Sequence, residues 1–283
     1  MAGVGREAIV DAEAKVAGHY GRGGLEDKIL AAVKSAGVDM ERVTVEDLAP
    51  VDEFHVGGLE ATKELAGQME LGAGLRVLDV GSGIGGPARF FAAGHGCPVT
   101  GVDLTEEFAR VATRLTQLAK LEGLVDFQQG SALEMKFEAG TFDRASMIHV
   151  GMNIADKDAL FREVRRVLKP GGLFAVFDLV RTGPGELSWP LPWALSAETS
   201  FVVSGKEYRE ALERAGFRLE RERGRREYSV AFTERMVSRM AQGPPALGLH
   251  LVMGEKTPVM IKNVLAMMKN GTLEPTEMIA RAV

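Results

Sequence analysis

The chain has a single cysteine, Cys97, so no disulfide can form within it, and it reads as a protein of a reducing compartment. It has no apolar run near the ~20 residues that a membrane helix needs, and no integral membrane segment is expected. The charged start, with Arg6, Glu7 and Asp11, is unlike a signal peptide, so the expected location is cytoplasmic. Positive charge is also short. The 34 Lys and Arg fall below the 39 Asp and Glu, and a net charge of −5 suits no phosphate backbone, so no nucleic-acid partner is expected. Internal repeats and low-complexity tracts are missing as well, and no metal site is expected. What remains is 283 residues, 46% apolar and 26% charged, an ordinary globule long enough for one large α/β domain with appended helices. The oligomeric state is open between monomer and homodimer.

What the chain does have is a dense stretch from Arg76 to Asp103. A short apolar strand, Val77 to Val80, runs into the turn Gly81-Ser82-Gly83-Ile84-Gly85-Gly86, and Pro87 suits the start of a helix because its missing N–H costs nothing there. Glycines let the main chain reverse and let a ligand come close to it. A second strand, Val99 to Val102, ends in Asp103, an acid placed to hold a ribose. Gly81, Gly83 and Gly86 also fit the G-x-G-x-x-G of an NAD-dependent dehydrogenase. Asp79 speaks against that reading, because a carboxylate two residues before the turn would repel a pyrophosphate. The same carboxylate would attract the sulfonium and ammonium of S-adenosylmethionine (SAM).

The run Asp79-Val-Gly81-Ser-Gly83-Ile-Gly85 resembles the D/E-x-G-x-G-x-G motif of the class I SAM-dependent methyltransferases. The likeness continues through a fourth strand, Phe142 to Ile148, and through a helix, the turn Lys169-Pro-Gly-Gly172 and a fifth strand, Leu173 to Phe177. It therefore covers residues 76–180. The family implies an α/β fold built on a Rossmann-like seven-stranded sheet. On that layout residues 1–70 form an N-terminal helical cap and 71–228 the SAM-binding core. Residues 229–270 form a helical lid, inserted before a last strand in 271–283. The resemblance implies SAM as cofactor and S-adenosylhomocysteine as product. Asp79, Gly81, Ser82, Gly83 and Gly85 would seat the methionine moiety, Asp103 the ribose, and Leu104 with Ser131 and Ala132 the adenine. The family commonly has Gly-Asp-Ala where this chain has Gly130-Ser131-Ala132, and a hydroxyl accepts more weakly than a carboxylate.

Outside the core, Ile9, Ala12, Val16 and Tyr20 share one helical face, and Leu25, Ile29 and Val33 mark a second helix. Thr44 to Asp47 looks like a capping box, and Leu59 to Met69 a longer helix before the core. Tyr20 is expected to reach the cofactor from the cap, while His55 reads as a solvated loop residue. His149 and Asn153 follow the fourth strand, at the sheet edge where ligands sit. His149 is expected to contact the cofactor and is the one general base available there, since Asn153 takes no proton at neutral pH. Trp189 and Trp193, in a proline-rich loop, could hold an amine acceptor by cation–π attraction. Arg218 to Glu227 reads as an exposed strand. Met236, Met240, Met253, Met260, Met267 and Met268 suggest an adaptable apolar lid. The whole layout resembles the sarcosine/dimethylglycine and ubiquinone/menaquinone-biosynthesis methyltransferases. The expected activity is N- or C-methylation of a small molecule, with a non-catalytic SAM-binding regulator as an alternative.

Overall fold

The N-terminal third is helical, as the apolar spacing indicates. The computed structural model describes residues 6–21, 23–243 and 245–283. Helix α1 (Arg6–Tyr20) stops at the glycines that follow it, and α2 (Leu25–Ser35) turns Ile29 and Val33 fully inward. The capping box exists. Thr44 Oγ1 accepts from the Asp47 N–H at 3.2 Å and the Asp47 carboxylate accepts from the Thr44 N–H at 2.9 Å, starting α3 (Val45–Asp52). Helix α4 (Gly58–Ala66) is shorter than the Leu59–Met69 span, because its last turns loosen after Gly67.

The core then alternates strand and helix: β1 (Val77–Val80), α5 (Gly86–His95), β2 (Val99–Asp103), α6 (Glu106–Leu118), β3 (Val125–Gln129), β4 (Phe142–Ile148), α7 (Lys157–Val167), β5 (Leu168–Arg181), α8 (Gly205–Arg214) and β6 (Phe217–Gly224). Three helices follow, α9 (Arg226–Met240), α10 (His250–Met253) and α11 (Thr257–Lys269), before β7 (Leu273–Ala282) closes the chain. The seven strands stand in the order β3-β2-β1-β4-β5-β7-β6, all parallel except β7, which runs antiparallel to both neighbours. The order reverses between β1 and β4, so the crevice beyond their carboxyl ends is where such a sheet binds ligands.

Two boundaries differ from the sequence reading. Lys169 to Gly172 lies inside the long β5 rather than ahead of it, with only Gly171 turned to a positive φ. The exposed strand ends at Gly224, and residues 226–227 already belong to α9. Arg225 sets that corner: it is buried and donates through Nη1 to Glu277 of β7 and to Glu64 of α4, the latter at 2.6 Å.

Side-chain alternation builds a layer on each face of the sheet. Leu78, Met147 and Val176 pack with Leu160 and Phe161 of α7 and Leu212 of α8, whereas Val77, Val99 and Phe177 pack with Phe91 of α5 and Leu65 of α4. A third cluster joins Ile29 and Leu48 of the cap to Val111 and Leu115 of α6 and to Ile84 of the glycine turn. Beneath it, Arg89 is fully buried and pairs with Asp52 at 2.7 Å. The same guanidinium donates to the carbonyls of Ile84 (2.7 Å) and Ala112 (3.1 Å), so one side chain ties α3, the glycine turn and α6 together.

Candidate functional site

A large cavity opens over the carboxyl ends of β1, β2 and β4, under α1 and under the helices inserted between β6 and β7. Its floor is the glycine turn. Gly83 has φ 54° and nothing near the place its Cβ would take, so the main chain faces open space there. Its N–H donates to Asp103 Oδ2 at 2.8 Å, and the Thr105 N–H donates to Asp103 Oδ1 at 2.8 Å. Burial pushes the Asp103 carboxyl upward and these two bonds oppose that push. Each carboxylate oxygen keeps a lone pair for a further donor, such as a hydroxyl.

Asp79, 2% exposed near the end of β1, accepts from Ser146 Oγ at 2.7 Å through Oδ1, while Oδ2 is buried without a partner. Burial raises its carboxyl to about 7; the Ser146 bond opposes this, and the charges of Glu53 and Asp103 add to it. Such a group favours a cation and disfavours a pyrophosphate.

His149 follows β4 with φ 53°, a strained value for a side chain of this kind. Its N–H donates to the Phe177 carbonyl at 2.8 Å. Both ring nitrogens are buried without partners, and burial, helped by His55, holds the imidazole well below its usual 6.5. It stands as a neutral ring on the cavity wall. His55 stacks on it, with ring centroids 5.8 Å apart, and is held in turn by Glu53 Oε2 at 2.7 Å. Thr62 Oγ1 donates to the same oxygen at 2.6 Å. His55 is therefore buried, not solvated, because Glu53 and Thr62 satisfy its ring. The loop after His149 is held by Asp178, whose Oδ2 accepts from the Gly151 N–H and from the Tyr208 hydroxyl, both at 2.7 Å. Burial raises the Asp178 carboxyl to about 6.

Residues 78–176 match a family model described as a methyltransferase domain. Over those residues the chain carries a methyltransferase domain. Among its relatives is the methyltransferase GfsG of Streptomyces halstedii, 33% identical over 137 residues, which are 48% of this chain and 49% of that one. Erythromycin 3''-O-methyltransferase of Saccharopolyspora erythraea is 31% identical over 173 residues, 56% of each chain. The chain thus spans about half the length of these curated relatives. Among solved structures, geranyl diphosphate C-methyltransferase from Streptomyces coelicolor A3(2), in complex with Mg2+, geranyl diphosphate and S-adenosylhomocysteine, superposes with a TM-score of 0.70. That superposition covers 96% of this chain and 98% of the other at 17% identity, a likeness of fold that includes the added helices.

In this methyltransferase domain and its added helices the cavity wall includes Tyr20, Asp79, Gly81, Ser82, Gly83 and Asp103, together with Leu104, Ala132, His149, Asn153 and Trp193. The Asn153 amide donates to the Tyr20 hydroxyl at 3.3 Å, joining cap and core over the opening. Three residues named from the sequence lie off the wall. Gly85 caps α5 and packs so closely that a Cβ would strike Phe127 and Arg89. Ser131 turns away and bonds Glu13 of α1. Trp189 packs into the apolar cluster beneath the 182–203 loop. Trp193 is on the wall but nearly buried, with its indole N–H donated to Ser200 Oγ at 2.9 Å. Of the methionines expected in the lid, Met236 and Met253 reach the cavity, as Met152 does from the loop after β4, while Met260, Met267 and Met268 fill core clusters. Glu13 and Ser146 had no role in the sequence reading. Each meets its partner across a long sequence gap, Ser131 for Glu13 and Asp79 for Ser146, and no local motif marks such pairs. Among the described residues no helix is long and apolar enough to cross a membrane.

Proposed function

We propose that the protein transfers the methyl group of SAM to a small, largely apolar acceptor held between the glycine turn and the helices α9 to α11. The observation that carries the cofactor half is the buried, unpaired Oδ2 of Asp79 at the carboxyl end of β1, which suits a cation. The residues fit an adenosyl sulfonium. Asp79 would hold the cationic methionine end over the open face of Gly83, with Gly81 and Ser82 beside it. Asp103 would hold the ribose hydroxyls, and Leu104 and Ala132 the base. SAM supplies an activated methyl carbon, so the chain itself must mainly align the acceptor and exclude water.

The acceptor half rests on the wall above. Phe232, Met236, Met253, Ile261 and Val264 line the same cavity as His149. Trp193 shares the wall with Tyr20, Phe54, Phe108 and Phe232, and aliphatic side chains such as Ile148, Val150, Leu179 and Val264 make up much of the rest. Apolar lining therefore favours an acceptor with a hydrophobic body over a small amino acid. His149 is the group able to take a proton from such an acceptor, with its neutral ring buried and its nitrogens unpartnered. Asn153 and Tyr20 would contact the acceptor or the cofactor at the cap junction. The test is incorporation of radiolabelled methyl from SAM into organic-extractable product, over a panel of apolar phenols, alcohols, prenylated rings and amines. Incorporation into an apolar member supports the reading. Firm SAM binding with no transfer to any class would leave a cofactor-binding regulator instead.

A further inference from the structure

We infer that Glu13, carried on the cap helix α1, reads the exocyclic amino group of the cofactor's adenine. This rests on the cofactor reading above and goes one step beyond it. At the base end of the cavity, the loop after β3 offers only Gly130, Ala132 and Leu133 to the wall. Ser131, between them, is fully engaged as a donor: its one hydroxyl proton goes to Glu13 Oε1, and its oxygen accepts from the Leu133 N–H at 3.0 Å. Its oxygen already accepts one bond, and Ser131 is not on the cavity wall, so it is poorly placed to accept from a base there.

Five carboxylates line the cavity: Glu13, Asp52, Asp79, Asp103 and Asp156. Asp52 is paired to Arg89, and Asp156 caps α7 by accepting from the Ala159 N–H at 2.8 Å. Asp79 faces the sulfonium end and Asp103 the ribose. Glu13 alone is left for the base end. Ser131 fixes its Oε1 and leaves Oε2 for a donor, and an amino group on a purine is such a donor. The acceptor for the base therefore comes from the cap, 118 residues away in sequence from the loop that positions it.

Helix α1 and its following turn are tied to the rest of the molecule by Tyr20, whose ring packs against Phe54 and Phe108, and by further polar contacts. His19 Nε2 lies 3.0 Å from the Pro192 carbonyl, Lys15 reaches Glu198 at 2.5 Å, and the Gly23 and Leu25 N–H groups donate to Glu107. Docking of α1 and recognition of the base thus become one event.

The experiment is a calorimetric comparison of S-adenosylhomocysteine with its analogue bearing hydrogen in place of the 6-amino group. The wild-type protein should prefer the amino form by about tenfold or more, the effect of one hydrogen bond to a charged group. Glu13→Ala should lower the amino form to the level of the analogue while leaving the analogue unchanged. Glu13→Gln, which keeps a neutral acceptor and the shape of the helix, should retain part of the preference. Glu13→Ala keeping the full preference, or weakening both ligands equally, would overturn the assignment. Wild-type protein that binds neither ligand would instead overturn the cofactor reading itself.

Discussion

Asp79 carries two opposite consequences in one side chain. Without a cation, burial raises its carboxyl from 3.8 to about 7, so the fold favours the protonated form. The stability linked to it is full below pH 3.8 and is lost as the pH rises through 7. At pH 8 the ionised, unpaired group costs up to about 4 kcal/mol. Asp79→Asn should therefore raise the melting temperature of the ligand-free protein at pH 8, by an amount that fades below pH 4, while abolishing SAM binding. A melt that falls in the variant would contradict the burial argument. The wild type should bind SAM about tenfold more tightly at pH 8 than at pH 6, because the carboxylate form pairs with the cation. His149 gives a separate signature. Its proton affinity is depressed, so the acidic limb of the rate profile should lie below pH 6.5, not at it. His149→Ala should lower kcat by about 10²- to 10⁴-fold, with S-adenosylhomocysteine binding retained.

Among the elements, α3 and α5 depend on one buried pair. Arg89 and Asp52 are both without exposed side-chain surface, and burial raises the Asp52 carboxyl to about 6 against the pull of Arg89. Removing one partner strands the other in a dry interior, which costs about 3–5 kcal/mol. Arg89→Met should therefore lower urea resistance sharply, and the double variant Arg89→Met/Asp52→Leu should recover part of the loss. Equal damage in the single and double variants would show that Arg89 matters through its carbonyl contacts instead. Helix α1 behaves differently from its neighbours. Helices α2 and α3 share an apolar cluster with α6, whereas only Val16 of α1 is buried among its described side chains. Amide exchange in α1 should accordingly be fast in the free protein and slowed by S-adenosylhomocysteine, with α2 and α3 slow in both states. Ligand-independent protection of α1 would count against its role as a closing element.

Over the whole molecule, the parallel part of the sheet and its glycine turn could be read from the sequence because both are local. Strand, glycine turn, helix and acid follow one another within 28 residues, and the turn chemistry allows few alternatives. The last strand was expected from the family resemblance, which places one in 271–283, and β7 covers Leu273–Ala282. The upper wall was not. Glu13 appears in sequence as one more polar residue on a helix face, and its meeting with Ser131 depends on how α1 crosses the sheet edge. The methionines show the same limit: a helical stripe does not say which member faces a cavity and which faces the core. His55 read as solvated because its partners, Glu53 and Thr62, lie on either side of a turn that the sequence does not orient.

The central claim is that the carboxyl end of β1 is built for a sulfonium cofactor. Calorimetric titration of SAM, S-adenosylhomocysteine and NADH into the same protein, with Asp103→Ala beside it, tests this most directly. The account predicts micromolar binding of the two adenosyl ligands, weakened at least tenfold in the variant by loss of the ribose contact, and no binding of NADH. Binding of NADH alone would contradict it, and with it the pairing of Asp79 with a cationic methionine end.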